Sequence, residues 1–192
     1  MSARPQPPAR TRTPRDQGRR NIIEATISLL EDQSPDEITV RQIAEASGHH
    51  HRMVQAWFGG KIQLFLAVHE ELNAEIAREL TPPLGRGQVV EHARMTTQLM
   101  NWLIAADPSV FDGRVDTPIL DRIAEIYVTT YGLEPRRARG MALRTVAGSI
   151  ASTLFPGPLG ITQEDVVELG ELEAHLVELL AASDGAAAPP EA

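Results

Sequence analysis

Two glycine breaks within one short stretch constrain the fold of this chain most strongly. Between Thr39 and Lys61 the sequence reads TVRQIAEASGHHHRMVQAWFGGK. Thr39 suits a helix N-cap because its hydroxyl can accept a hydrogen bond from a free backbone N–H, and Gln42 stands where it completes a capping box. Gly48 suits the helix exit, since glycine readily adopts the left-handed conformation. The pattern predicts a helix of about two turns that ends at a tight turn.

A second short helix is predicted to follow that turn, from His50 to Trp57, and the glycine pair at positions 59 and 60 ends it. Its buried side consists of apolar residues at helical spacing, namely Met53, Val54 and Trp57. Two short helices joined by a glycine turn, the second with a polar front, form the helix-turn-helix arrangement, whose second helix enters the DNA major groove. We therefore expect residues 16–60 to form a DNA-binding domain.

Apolar residues recur at helical spacing through most of the remaining chain, which predicts an all-α protein. The other predicted helices cover 16–32, 61–80, 88–106, 118–131, 135–154 and a final segment that Thr162 caps. Residues 107–117 are predicted to be irregular or a single short turn. A three-helix head thus precedes a helical-bundle body over 61–182. The arm over 1–15 and the tail over 183–192 are expected to be disordered because of their Pro, Arg and Ala content.

Charge is distributed unevenly along the chain, although the net charge is −8. Residues 1–65 hold nine basic and seven acidic side chains, whereas residues 66–192 hold nine basic and nineteen acidic ones. This asymmetry fits a DNA-contacting head on an acidic body. The arginine-rich arm over 1–15 is either a solvated tail or a segment that contacts phosphates or the minor groove.

Several classes of protein are disfavoured by what the sequence lacks. It contains no cysteine, and it shows no apolar run of signal-peptide or membrane-span length, so we expect a cytoplasmic protein without membrane association. GxSxG, P-loop and HExxH motifs are also absent. We expect neither enzymatic activity nor a cofactor, because a helical enzyme would need a carboxylate or histidine cluster that the spacing does not supply.

The last two predicted helices are apolar on more than one side. Small residues cover much of the helix over 135–154, and leucines give the final helix a broad apolar face. Such helices can cover their own core and still pack against a second copy; a well-packed monomer core is the alternative. The residues assigned to this dimer interface are Met141, Thr145, Gly148, Ser149, Ser152, Leu169, Leu172, Leu176 and Leu179.

The order of these elements resembles the TetR family of bacterial transcriptional regulators, and the specific resemblance covers about residues 20–66. The positions that carry it are Ile22, Ala25, Leu30, Thr39, Val40, Ile43, Ala44, Ala46, Gly48, Phe58, Lys61 and Leu64. His49, His50 and Gln55 depart from the family pattern, which usually has a small aliphatic residue, Ser or Thr, and Tyr there. The operator sequence is therefore left open.

The resemblance implies a homodimeric repressor that binds a palindromic operator and responds to a small, largely apolar effector held in the body. Thr39 and Lys61 would contact phosphate, whereas Trp57 would be core, phosphate-facing or both. The front of the recognition helix, which would meet bases or phosphates, comprises His50, His51, Arg52 and Gln55. The helices around the effector cavity of this family would contribute His92, Met95, Met100, Asn101, Trp102, Tyr127 and Tyr131, each of which can equally be plain core.

Two further interpretations concern the unusual histidines. His49, His50 and His51 could bind a metal ion, but three consecutive helical residues point in three directions, so no metal site is expected. The departures from the family pattern also allow a helical small-molecule-binding dimer that has lost specific DNA binding.

Overall fold

The computed structural model describes residues 15–82, 84, 90–113 and 116–187. Within these ranges the chain is all-α, as predicted. The helices are α1 (Arg15–Asp32), α2 (Val40–Ser47), α3 (Arg52–Phe58), α4 (Lys61–Glu79), α5 (Val90–Ala106), α6 (Pro118–Tyr131), α7 (Pro135–Leu154), α8 (Pro156–Leu159) and α9 (Gln163–Ala187). The predictions for the arm before residue 15 and for the tail after residue 187 lie outside the described residues.

The recognition helix α3 begins two residues later than predicted. Its first turn is closed by shorter-range hydrogen bonds, from the Met53 amide to the His50 carbonyl (2.8 Å) and from the Val54 amide to the His51 carbonyl (3.2 Å). Such i to i+3 bonds form a tight 3₁₀ turn rather than an α-helical one. His50 and His51 therefore stand in the turn that leads into the helix.

The last helix runs further than predicted, so the prediction of disorder from Ser183 is wrong for residues 183–187. The Asp184 carboxylate accepts a hydrogen bond from the Glu134 amide (2.9 Å) and pairs with the Arg137 guanidinium. These bonds tie the last turns of α9 to the start of α7. At the other end of α9 the predicted cap is present, since the Thr162 hydroxyl accepts from the Asp165 amide at 3.1 Å.

One apolar core joins the helix-turn-helix to the first part of the body, and we call it the head core. It includes residues of α1 to α5 and of the segments that follow α1 and α5: Ile22, Leu30, Ile38, Ile43, Val54, Leu64, Phe65, Leu66, Val68, Leu72, Met95, Leu99, Leu103 and Val110. Packing therefore continues across residue 60, where the sequence suggested a boundary between two domains.

A second apolar core lies in the rest of the body, and we call it the body core. It consists of Ile76, Leu80, Ile123, Ile126, Tyr127, Leu133, Ala138, Met141, Ala142 and Val177. Helix α4 contributes to both cores, because Leu72 belongs to the head core and Ile76, one turn later, belongs to the body core. The linking helix is thus packed along its whole length.

Candidate nucleic-acid interface

Helix α2 starts with the predicted capping box. The Thr39 hydroxyl accepts from the Gln42 amide (3.2 Å), and the Gln42 side-chain oxygen accepts from the Thr39 amide (2.8 Å). The same Gln42 oxygen also accepts from the Thr39 hydroxyl at 2.7 Å. At the other end Gly48 takes the left-handed conformation, with φ of 68°. Thr39 therefore has its hydroxyl engaged in building the helix N-terminus.

The turn before α3 and the start of this helix present a basic front. His50, His51 and Arg52 are exposed, and the two imidazole rings lie 4.2 Å apart between centroids. The Arg52 amide donates to His50 Nδ1 (3.2 Å), so His50 also caps α3. Desolvation lowers the pKa of His51, and the nearby charges of His50, Arg52 and Arg41 lower it further. Arg41, on α2, thus belongs to the same cluster, although the sequence analysis did not single it out.

Gln55 is exposed on α3, but its side chain has an internal partner. Its amide nitrogen donates to the Gly59 carbonyl at 3.2 Å, which satisfies one of the free carbonyls at the helix C-terminus. Contact with a base would require the Gln55 side chain to leave this bond.

Trp57 turns inward and packs the recognition helix against α1. A Cβ atom added to Gly18 would lie 2.5 Å from the Trp57 ring, so the two helices approach closely only because residue 18 is glycine. The His49 ring meets Trp57 edge-on at 5.4 Å. Arg19 donates to the Trp57 carbonyl and lies 4.3 Å from the centre of the Phe58 ring. Of the three roles that the sequence allowed for Trp57, the structure shows packing. The sequence feature that could have indicated this packing is Gly18, a glycine inside a helix.

Lys61 is the only lysine of the chain, and it was predicted to contact phosphate. In the structure its ammonium group contacts other parts of the protein instead. Its ammonium group donates to the Pro35 carbonyl at 2.8 Å and lies 4.9 Å and 4.8 Å from the centres of the Phe65 and Trp102 rings. Burial lowers the pKa of Lys61, and the Asp36 carboxylate partly offsets this. Lys61 is partly buried and its ammonium group is engaged by groups of its own chain, which argues against the predicted phosphate contact.

The seven residues assigned to an effector pocket are not brought around one cavity. Met95 and Trp102 pack in the head core, whereas Tyr127 and Tyr131 pack in the body core with their ring centres 6.0 Å apart. Asn101 is exposed on α5. The other two are partly buried: Met100, also on α5, and His92, whose Nδ1 is 3.9 Å from a carboxylate oxygen of Glu79. Apolar spacing identified these residues as inward-facing, but not which core they face.

A buried polar group between α4 and α5 escaped the sequence analysis. The Thr96 hydroxyl donates to the Asn73 side-chain oxygen (2.9 Å), and the Asn73 amide nitrogen lies 3.2 Å from His69 Nδ1. His69 is only 8% exposed, and burial lowers its pKa from 6.5 to about 4, so the ring is neutral and can accept from Asn73. The signal available in the sequence was a histidine and an asparagine four residues apart on a predominantly apolar helix.

The residues assigned to the dimer interface fall into two groups. Met141 is only 6% exposed in the body core, so it has no surface to offer a partner, and that assignment is corrected. Thr145 is engaged internally, because its hydroxyl donates to the Met141 carbonyl (3.0 Å) and contacts Glu173. Gly148 faces Leu169 of its own chain, and Leu176 packs against the body core. Ser152 is partly buried, whereas Ser149 is exposed.

The outer face of α7 to α9 carries large apolar side chains in contact with solvent. Leu172 and Leu179 are 53% and 55% exposed, and Leu169 lies beside them. Four further large apolar side chains in the same part of the chain, which the sequence analysis did not assign, are also exposed: Leu143, Phe155, Leu159 and Val166. We call this set of seven side chains the leucine face. Large exposed apolar side chains are a feature of protein–protein interfaces where they form one continuous patch.

The described part of the chain offers neither a metal-binding cluster nor a helix that could span a membrane. There, no three His, Asp or Glu side chains are grouped so that they could hold a metal ion. Nor does any helix of these ranges have the length and apolar character needed to span a membrane.

Comparison with known proteins gives matches in sequence and in fold, although no model of a known protein family matches the chain. The chain is 34% identical over 68 residues to the HTH-type transcriptional regulator BetI of Brucella anthropi, and this match covers 35% of each protein. It is 26% identical over 146 residues to BetI of Brucella melitensis, covering 68% of the chain and 73% of that relative. The crystal structure of the TetR family repressor AlkX from Dietzia has a TM-score of 0.50 and 18% identity, over 90% of this chain and 98% of that one.

Proposed function

The chain has the all-α fold and the helix-turn-helix sequence of a TetR-family transcriptional regulator, and on that premise we propose that it is a homodimeric, ligand-responsive DNA-binding repressor. In this proposal residues 16–60 bind DNA, and residues 61–182 form the dimer and hold the effector. The observation that carries the proposal is the geometry of α2 and α3. A capping box begins α2, a left-handed glycine ends it, and the front of α3 is basic and exposed.

Base contacts would come from the front of α3. Arg52 suits guanine, to which its guanidinium can donate two hydrogen bonds, and Gln55 suits adenine once its side chain leaves the Gly59 carbonyl. His50 and His51 can donate to phosphate or accept from a base edge, depending on their protonation. These residues would set the sequence preference of the protein.

Phosphate contacts would come from the start of α2 rather than from Lys61. The free backbone N–H groups at this N-terminus, ordered by Thr39, provide partial positive charge toward an anion. Arg41 is exposed on the first turn of the same helix and adds a full charge. Together they would replace the contact that the family pattern assigns to Lys61.

The leucine face would form the dimer interface and bring two heads onto successive major grooves, about one helical turn or ~34 Å apart, on a palindromic operator. A Leu172→Glu, Leu179→Glu double variant should be monomeric by sedimentation velocity. Ile104→Glu is the matched control, since Ile104 is a similarly exposed apolar residue on α5, outside the leucine face. A double variant that stays dimeric would exclude this face.

The effector is proposed to be a small, largely apolar molecule bound among the body helices. It can release DNA only if it binds more tightly to the conformation in which the heads no longer match the operator spacing. A compound that raises the unfolding temperature and weakens operator binding would support this part of the proposal. A stabilising compound without effect on DNA binding would instead identify a site uncoupled from the head.

DNA binding is tested by selecting sites from a random-sequence pool and measuring affinity by gel shift over a range of salt concentrations. We expect Arg52→Ala and Gln55→Ala to weaken binding to the selected site by about five- to 150-fold, the effect of losing one base contact, with the dimer intact. Arg136→Ala is the matched control, because it removes the same charge from an exposed position on α7. Failure to select any site at low salt would refute the regulator function and favour a small-molecule-binding dimer.

A further inference from the structure

The turn between α1 and α2 is held from two sides by residues outside the helix-turn-helix. Trp102, on α5, donates its indole N–H to the Asp36 carboxylate at 2.6 Å. Lys61, at the start of α4, donates to the Pro35 carbonyl at 2.8 Å. We call Pro35, Asp36, Lys61 and Trp102 the Trp102 latch. It connects the segment that leads into α2 directly to the body.

The side chains of the latch also contact one another. The Lys61 ammonium lies over both the Phe65 and the Trp102 ring, 4.9 Å and 4.8 Å from their centroids, and both rings attract its charge. The two centroids are themselves 5.0 Å apart, so the three groups form a nearly equilateral triangle. The Asp36 carboxylate acts electrostatically on the same ammonium. Each polar group thus has a directional partner, so the arrangement fixes one orientation of the turn, which apolar packing alone would not do.

A second contact between α5 and the head lies near the start of α5, whereas Trp102 lies near its end. Arg94 donates to the Glu31 carbonyl, in the last turn of α1, at 3.3 Å. Arg94 and Trp102 lie two helical turns apart, and two contacts at separate heights restrict both the tilt and the rotation of α5 against the head. Movement of α5 therefore cannot leave the helix-turn-helix unaffected.

The same helix also contacts the remainder of the body. Ala93 packs against the body core, and the Thr96 hydroxyl donates to Asn73 of α4. Helix α5 is thus in contact with the body core at one end and with the turn before α2 at the other.

We propose that Trp102 and Lys61 are positioning residues that set the angle of the helix-turn-helix relative to α5, so that a shift of α5 in the body is transmitted to the recognition helix. The inference rests on the proposed function, since it concerns how the heads of a DNA-binding dimer are spaced. It assigns Lys61 to the orientation of the head and not to DNA contact.

The first experiment tests the latch without requiring a dimer or DNA. Trp102→Phe keeps an aromatic ring beside Lys61 but removes the N–H donor, and Asp36→Ala removes its acceptor. In both variants backbone amides of residues 33–39 should exchange hydrogen about tenfold faster, the effect of losing one hydrogen bond to a charged group. Asp32→Ala, which removes the same charge from an exposed position nearby, should leave this exchange unchanged. Equal exchange in Trp102→Phe, Asp36→Ala and the unsubstituted protein would overturn the inference.

The second experiment measures head spacing. Because the chain contains no cysteine, Glu45→Cys on the exposed side of α2 would take one spin label per protomer, and the label-to-label distance in the dimer reports the separation of the two heads. Trp102→Phe should broaden or shift this distribution and weaken the preference for the selected half-site spacing. An unchanged distribution would overturn the positioning role, whereas absence of any dimer distance would refute the proposed dimer and leave the exchange result as the test of the latch.

Discussion

Protonation of His69 should cost the protein a measurable part of its stability below neutral pH. The imidazole is buried between α4 and α5, beside Phe111 and in hydrogen-bond contact with Asn73. Asn73 presents its amide nitrogen to the ring and uses its oxygen to accept from Thr96, so a neutral, accepting His69 fits the site. A protonated ring would place a donor against a donor and a charge in an apolar environment.

The size of this effect follows from the two pKa values. Burial lowers the pKa of His69 from 6.5, its value in an exposed chain, to about 4. Above pH 6.5 both the folded and the unfolded chain hold the neutral ring, and the stability is fully present. As the pH falls from 6.5 toward 4, the unfolded chain binds a proton that the folded chain does not, so stability is lost. Linkage gives a loss of about 2 kcal/mol between about pH 7.5 and about pH 5.

The assay compares the protein with a His69→Gln variant, whose side chain is neutral at every pH and can still bond to Asn73. Unfolding by urea at fixed protein concentration gives the free energy of unfolding per chain at each pH. Other groups also titrate, but their contributions cancel in the difference between the two proteins. We expect the difference in free energy of unfolding to change by about 2 kcal/mol between the two ends of this pH range, because only the protein with His69 loses stability as the pH falls.

A matched control uses His50→Gln, which replaces a solvent-exposed histidine in the turn before α3. Its difference from the unsubstituted protein should depend on pH much less strongly. The reasoning is refuted if the His69→Gln difference stays constant from neutral to acidic pH, because the folded protein would then accept the proton as readily as the unfolded chain.

Three further predictions concern the head. Gly18→Ala should destabilise the protein by about 1–3 kcal/mol in thermal unfolding, because the new Cβ would meet the Trp57 ring; Gly140→Ala, where nothing lies within 4 Å, should be neutral or stabilising, and a harmless Gly18→Ala would contradict the close packing. Thr39→Ala should cost about 1 kcal/mol by loss of the capping box, as measured by chemical unfolding; an unchanged stability would count against the cap. Operator affinity, measured by fluorescence anisotropy, should rise as the pH falls below the ordinary histidine pKa of about 6.5, because a protonated His51 adds positive charge to the DNA-facing front. The pKa of His51 is lowered, so this rise should need a lower pH than for an ordinary histidine. If a His50→Gln, His51→Gln double variant shows the same rise, other groups cause it.

Local signals predicted much of this structure correctly. The Thr39–Gln42 capping box and the left-handed Gly48 depend on residues close in sequence, and both are present. Helices α6 and α7 begin at the prolines that the sequence suggested, because proline already has the backbone angle of a first helical turn. Where the physics is local, residue type and spacing were sufficient.

Predictions failed where side-chain direction depends on distant parts of the chain. Lys61 stands at a helix start, which suits phosphate contact, yet its ammonium group bonds to a carbonyl 26 residues earlier and lies over a tryptophan ring of α5. Met141 fits the pattern of an interface as well as that of a core, and only the packing of α6 and α9 decides that it is buried. Neither outcome can be read from spacing along one helix.

Helix α4 is continuous, yet its two ends belong to different cores. The first turns of α4 are fixed to the head, because Leu64, Phe65 and Leu66 are almost completely buried in the head core. Its last turns are fixed to the body through Ile76 and the residues that follow. His69 precedes Leu72, the last head-core residue of α4, and Asn73 follows it; the two polar residues bond to each other and, through Asn73, to α5. Val68 and Leu72, on either side of His69, are fully buried in the head core, so a charge on His69 would disturb the packing of α4 at the end of the head core that is next to the body core.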